Sequence, residues 1–347
     1  MTQLQTAAEL PPAYLATLNQ LNLNPLWPSL RAFLPEGEPT GASVATHWRY
    51  NDVRPLLMQA GELTPIEKAE RRVLVLCNPG LGLEKLQATP SIYVGMQLIL
   101  PGEDAPNHRH TPSAIRLVVE GSGGYTTVEG EKLPMEHGDL ILTPPGLWHE
   151  HGHEGDGPVV WLDALDLPLI YLLEHSFADA APLQQAKTAP DASETRFTRA
   201  GLVPYDELDS SAPYPMRRYP WKDTRNALLA LAGQTGRDKP IHLAYINPLS
   251  GEACLPFLGF SALMLRPGET LRLPRRSCSQ VLHVVEGTGT TTANDTTFSW
   301  ADADVSALPA HSRVTITNGS SKKPAFLFIV DDAPLHKKLR IYMEREW

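Results

Sequence analysis

The chain has 347 residues, more than one compact core usually needs, so two domains are expected, with a single large β-rich unit as the alternative. Hydrophobic residues make up 42% and charged residues 20%, and no apolar run approaches the roughly eighteen residues of a membrane span. A net charge of −9 disfavours nucleic acid and anionic membrane as partners, since both reward basic patches, but leaves an anionic small molecule open to a few well-aimed arginines.

The N-terminal stretch MTQLQTAAELPPAYLATL has no basic start followed by an apolar core, so no secretory signal is expected and the cytoplasm is the default location. Cys77, Cys254 and Cys278 are odd in number and widely spaced, which argues against disulfides and a thiolate metal site and for buried fillers. Residues 1–70 alternate short helical patterns with proline punctuation, as in PPAYLATLNQLN and NPLWPSLRAFLPEGEP, and read as an arm or cap.

From residue 71 the texture changes to short β-branched runs separated by Gly, Pro and Asp: RRVLVLCNPG, SIYVGMQLILPGE, IRLVVEG, YTTVEGEKL, GDLILTPPG and PVVWLDALDLP. That spacing predicts an antiparallel sandwich or barrel over 71–184. A polar stretch over 185–225 reads as a linker, and 226–347 as a second copy of the same β domain. Three ordered echoes support the duplication. IRLVVEGSGGYTTVEG (115–130) matches VLHVVEGTGTTTANDT (281–296), LILPGEDAPNHRH matches LMLRPGETLRLPRR, and GDLILTPPG more faintly matches ADVSALPA.

Six of the twelve histidines fall between residues 108 and 153. A strand sends alternate side chains to one face, so His108-x-His110 aims two imidazoles the same way, and His149, just after the turn in LTPPGLWH, completes a triangle. A solvated histidine-rich loop is the competing explanation. His137 reads as a surface turn residue, and His283 and His311 as structural. In the second copy Pro274 and Arg276 occupy the positions of His108 and His110, so that copy should hold no metal.

The spacing from Gly102 through His108-x-His110 to Gly121, then Gly138, Pro144-x-Gly146 and His149, resembles the two signature motifs of the cupin superfamily. One departure stands out: the glutamate that many cupins place seven residues before the first motif's glycine is Ala114 here. Three histidines would then form an open face, compatible with iron and also with Zn²⁺, Mn²⁺ or Ni²⁺. Across ATPSIYVGMQLILPGEDAPNHRHTPSAIRLVVEGSGGYTTVEGE, GDLILTPPGLWHEHGHEG and WLDALDLPL the chain resembles the gentisate 1,2-dioxygenase family, with its salicylate and 1-hydroxy-2-naphthoate relatives. The resemblance is specific over 70–170 and looser beyond.

That resemblance implies an all-β bicupin, two jelly-roll-like antiparallel barrels with a partly helical N-terminal arm, assembled as a tetramer, with Fe(II) in the first cupin alone. It implies ring cleavage of an aromatic hydroxy acid by O₂, gentisate giving maleylpyruvate. His108, His110 and His149 would hold the metal. Arg116, six residues after His110 inside an apolar strand, would pair with the substrate carboxylate. His151, in Trp148-His149-Glu150-His151-Gly152 where the family has Asp at the central position, would assist oxygen binding or proton transfer. Arg72, Tyr93, Gly95, Gln97 and Asp163 would complete the substrate pocket, Asp163 accepting a hydrogen bond from a second ring hydroxyl. A cupin that binds or isomerises a small ligand without oxygen chemistry is the alternative of another class.

Overall fold

The computed structural model describes residues 4–346 and divides into two compact units, Met1–Ala42 and Ser43–Trp347. The first carries the helix Pro12–Gln20 and the short turns Trp27–Ser29 and Leu30–Phe33, with Leu21, Leu26 and Phe33 exposed. Among the described residues no helix is long and apolar enough to cross a membrane.

The second unit is built from two similar antiparallel halves. In the first half a six-stranded sheet runs in the order Arg218–Tyr219, Leu140–Thr143, Ala114–Glu120, Val159–Leu165, Tyr93–Ile99, Arg72–Val75. It faces a five-stranded sheet ordered Ala178–Ala180, Asp104–His110, His149–His153, Gly124–Val128, Glu131–Pro134. The second half pairs a six-stranded sheet with a four-stranded one.

Strand alternation gives the large sheets two buried faces, which is why their sequences run almost continuously apolar. In the first half Ile99, Val118, Ile141, Val159 and Trp161 point inward and cluster with Val128 and Leu133 of the smaller sheet. Their neighbours Val94, Met96, Leu98, Leu117 and Leu162 point the other way and pack with Phe260, Met264, Phe326 and Phe328 of the second half. The two halves therefore share one apolar core between their large sheets.

The strands starting at 93, 114 and 159 recur at 259, 280 and 325, each 166 residues later and each of the same length. Each half also receives a strand from outside its own repeat. Thr46–Trp48 pairs with Val305–Leu308 of the second half, and Arg218–Tyr219 pairs with Leu140–Thr143 of the first. The helices that follow, Tyr50–Leu63 and Trp221–Gln234, are equivalent: the backbone N–H of Tyr50 donates to Asp304 (2.7 Å) and that of Trp221 to Asp139 (2.8 Å). A carboxylate at a helix start takes up an otherwise orphan N–H and complements the helix dipole. Tyr50 and Arg54 both donate to Glu120, as Trp221 and Arg225 do to Glu286.

These contacts move two expected boundaries. Residues 43–70 belong to the compact second unit rather than to an arm, with Leu57 fully buried in the shared core. The expected linker is docked over part of its length, since Arg218 is buried against Asp139 at 2.7 Å.

Candidate metal centre

Three strand positions on the inner wall of the first half converge. His108 lies directly opposite His149 in the antiparallel pair Asp104–His110 and His149–His153, and His110 follows two residues on, on the same face. Their ring centroids lie 4.0 Å (His108 to His149), 4.7 Å (His110 to His149) and 5.3 Å (His108 to His110) apart. One ligand atom from each fits within 4.8 Å of the others, the arrangement of a facial metal site.

The backbone settles which nitrogen is offered. His108 Nδ1 faces the carbonyl of Pro106 at 3.1 Å, His110 Nδ1 that of Pro112 at 2.7 Å, and His149 Nδ1 that of Leu147 at 2.9 Å. A carbonyl only accepts, so each Nδ1 carries the hydrogen and each Nε2 keeps its lone pair for the interior. The buried Nε2 of His149 has no protein partner. Burial is the main force holding all three neutral, taking His108 down to about 2, His110 to about 4 and His149 well below its usual value, with Arg116 adding to the effect. Three neutral imidazoles aimed at one point fit a divalent cation.

Behind the histidines lies a buried polar wall. Arg116 and Asp163 face each other across adjacent strands, Nε to Oδ1 3.6 Å, with Arg116 Nη1 donating to Thr143 Oγ1 at 2.5 Å. Arg116 Nε has no hydrogen-bond partner. Asp163 accepts from Trp161 Nε1 at 3.0 Å, and burial pushes its carboxyl up to about 6 against the pull of Arg116. Gly95 is paired directly with Asp163, and Gln97, buried, with Trp161. A Cβ on Gly95 would meet Tyr93 Oη at 2.9 Å and Val73 Cγ1 at 2.4 Å, so the missing side chain leaves room for the Tyr93 ring. The field of Asp163, after burial, raises the Tyr93 phenol, which places these two groups near one another.

Arg72 departs from expectation. Its guanidinium is buried in an ion pair with Glu103 and donates to the carbonyl of Gly61 at 3.2 Å, on the opposite side of the sheet from the histidines. Strand alternation puts its neighbour on the other side. Arg71 is the arginine whose charge acts on His108, His110, His151 and Asp163. His151 is buried on the same strand face as His149, ring centroids 6.0 Å apart, and lies against Trp161 at 5.4 Å. Sequence reasoning passed over Arg71, Thr126, Thr143 and Trp161. Only Arg71 left a signal, as the first of two adjacent arginines.

The second half repeats the frame without the chemistry. At the positions matching Gln97, Arg116, Trp161 and Asp163 stand Leu263, Leu282, Leu327 and Ile329, all in one apolar cluster. Val314 and Ile316, in the strand equivalent to His149–His153, stand where His149 and His151 do, and Pro274 and Arg276 where His108 and His110 do. A cavity of about 1150 Å³ opens nearby, beside His242, Arg276 and Lys337, but among the described residues the only group suited to a metal is His108, His110 and His149. His137 is exposed and His283 is buried in the second half.

Residues 95–165 match the Cupin domain family model. A gentisate 1,2-dioxygenase of Ralstonia sp. is 54% identical over 97% of this chain and 95% of its own length. The chain belongs to the gentisate 1,2-dioxygenase family. Within this family of ring-cleaving dioxygenases, a 5-aminosalicylate 1,2-dioxygenase of Comamonas sp. is 39% identical over 94% of this chain and 87% of that protein. The fold matches the solved salicylate 1,2-dioxygenase of Pseudoaminobacter salicylatoxidans in its adduct with gentisate, with a TM-score of 0.91 and 29% identity over 99% of this chain and 96% of that one.

Proposed function

We propose that the chain is an Fe(II)-dependent gentisate 1,2-dioxygenase that opens the ring between the carboxyl-bearing C1 and the hydroxyl-bearing C2 to give maleylpyruvate. The observation that carries this reading is the placement of three carbonyl-anchored imidazoles in front of the buried Arg116 and Asp163 pair. When bound, iron supplies a Lewis acid and a redox partner for the aromatic acid and dioxygen.

The protein's own groups then bind and orient. Arg116, its Nη1 fixed by Thr143 and its Nε lacking a hydrogen-bond partner, offers a pre-organised donor to the substrate carboxylate, and Arg71 adds positive charge on the same side. Asp163 is the acceptor for the second ring hydroxyl, with Tyr93 and Gly95 forming a wall and Gln97 a further polar contact. His151, buried beside His149, would assist oxygen binding or proton transfer. The exposed apolar row Tyr171, Leu172, Leu173 and Phe177 supports self-assembly, which we read as a tetramer of a cytoplasmic enzyme, to be checked by light scattering.

An oxygen-uptake panel tests the assignment. Gentisate should consume O₂ in an iron-dependent manner, and salicylate should be slower by about one to two powers of ten, since it leaves the Asp163 side unpaired. Asp163→Ala should narrow that gap. Equal rates on both acids would pass the name to a broad-range salicylate enzyme, and no iron-dependent uptake on any hydroxybenzoate would leave a non-oxygenase cupin.

A further inference from the structure

We infer that Thr126 is a positioning residue that fixes the tautomer of His151, so that this histidine presents Nε2–H to the reaction site while its three neighbours present bare Nε2 lone pairs. Four buried or half-buried imidazoles crowd one wall, and what separates them is the group behind each ring. His108, His110 and His149 are backed by backbone carbonyls, which can only accept. His151 is backed by a hydroxyl: its Nδ1 lies 2.9 Å from Thr126 Oγ1, on the residue directly opposite in the neighbouring strand.

A hydroxyl can donate or accept, so direction has to be decided by what else it touches. Thr126 is completely buried, and its side chain makes no other hydrogen bond among the described residues. Were His151 to donate from Nδ1, the threonine hydrogen would sit buried without an acceptor, whereas donation from Thr126 to Nδ1 satisfies it. The preference should be roughly tenfold or more. The hydrogen of neutral His151 then stands on Nε2, which is buried without a protein partner on a ring that lies beside His149 and Trp161.

Two consequences follow from one hydroxyl. With Nε2 protonated, His151 has no lone pair to give a metal, in keeping with a three-histidine group that the ligand-atom distances already define without it. The same Nε2–H is a fixed donor to an oxygen atom developing negative charge, with no reorganisation needed. No net proton transfer is required of it: the imidazole stays neutral and its hydrogen bond strengthens as charge grows. The catalytic consequence rests on the dioxygenase reading; the tautomer does not.

Long-range ¹H–¹⁵N spectra of the full chain, ¹⁵N-labelled at histidine and loaded with diamagnetic Zn²⁺, read the tautomers directly, with His151 assigned by the signals lost in His151→Gln. His151 should show the hydrogen on Nε2, and a hydrogen on Nδ1 would overturn the inference. In the iron-loaded enzyme Thr126→Val should lower kcat on gentisate by about tenfold, leaving KM within about twofold and iron content unchanged, and Thr126→Ser should restore most of the rate. Full kcat in a folded Thr126→Val protein, or no rescue by serine, would also overturn it. If the valine variant does not fold, the unmodified spectrum and the serine variant still decide. Absence of turnover in the unmodified iron-loaded protein would overturn the dioxygenase reading instead, with the tautomer still read from the spectrum.

Discussion

Arg116 and Asp163 face each other across adjacent antiparallel strands, Nε 3.6 Å from Oδ1, both buried and neither fully satisfied by the other. In the proposed function the pair receives a ligand that brings its own carboxylate and hydroxyl. An unsatisfied buried pair of this kind costs stability.

The cost has a pH signature. Burial raises the Asp163 carboxyl from 3.8 to about 6, with Arg116 opposing. A folded-state pKa raised above the unfolded value contributes stability that is present below pH 4 and lost as pH rises through 6. Relative to Asp163→Asn, the unmodified metal-free protein should lose about 3 kcal/mol between pH 4 and pH 7, two pK units at about 1.4 kcal/mol each. Urea unfolding of both proteins across that range checks it; a constant difference would show that Asp163 titrates normally.

The adjacent arginines should separate cleanly. Arg71→Ala should raise KM for gentisate by about tenfold, near 1.4 kcal/mol, with little change in melting temperature. Arg72→Ala should do the reverse, because it leaves Glu103 without its buried partner, at a cost near the low end of the roughly 3–5 kcal/mol for breaking such a pair. Thermal melts and steady-state kinetics on both variants would expose an exchange of these roles.

Gly95 is expected to tolerate no side chain. An alanine Cβ would lie 2.4 Å from Val73 Cγ1 and 2.9 Å from Tyr93 Oη, so either the edge strand or the Tyr93 ring has to move. Gly95→Ala should cost about 1–3 kcal/mol in stability and change the ratio of gentisate to salicylate rates. Unchanged stability and selectivity would remove Gly95 from the pocket wall.

How much was legible in the sequence depended on whether a period or a partner carried the information. His108, His110 and His149 were readable because a strand repeats every two residues and the Gly and Pro positions mark its turns. Arg71 and Arg72 were not separable: Arg71 precedes the strand that Arg72 opens, and only the pairing of Arg72 with Leu98 decides which side each faces. Thr126 and Thr143 look like ordinary strand threonines until their partners on neighbouring strands are seen. The reciprocal strands and helices left a trace that was passed over, since Tyr50-Asn51-Asp52-Val53-Arg54 and Trp221-Lys222-Asp223-Thr224-Arg225 are two copies of one motif. Reading it would have carried the repeat back to residue 50 and taken 43–70 out of the arm.

Anaerobic titration of metal-free protein with Fe(II), followed by the rate of O₂ uptake on gentisate, tests the account most directly. Among the described residues only the first half offers three neutral imidazoles; in the second half Pro274, Arg276 and Val314 stand at the matching positions. Activity should rise linearly and break at about one iron per chain, with His149→Ala giving neither bound iron nor turnover. A break at two irons per chain, or turnover that survives the loss of His149, would contradict it.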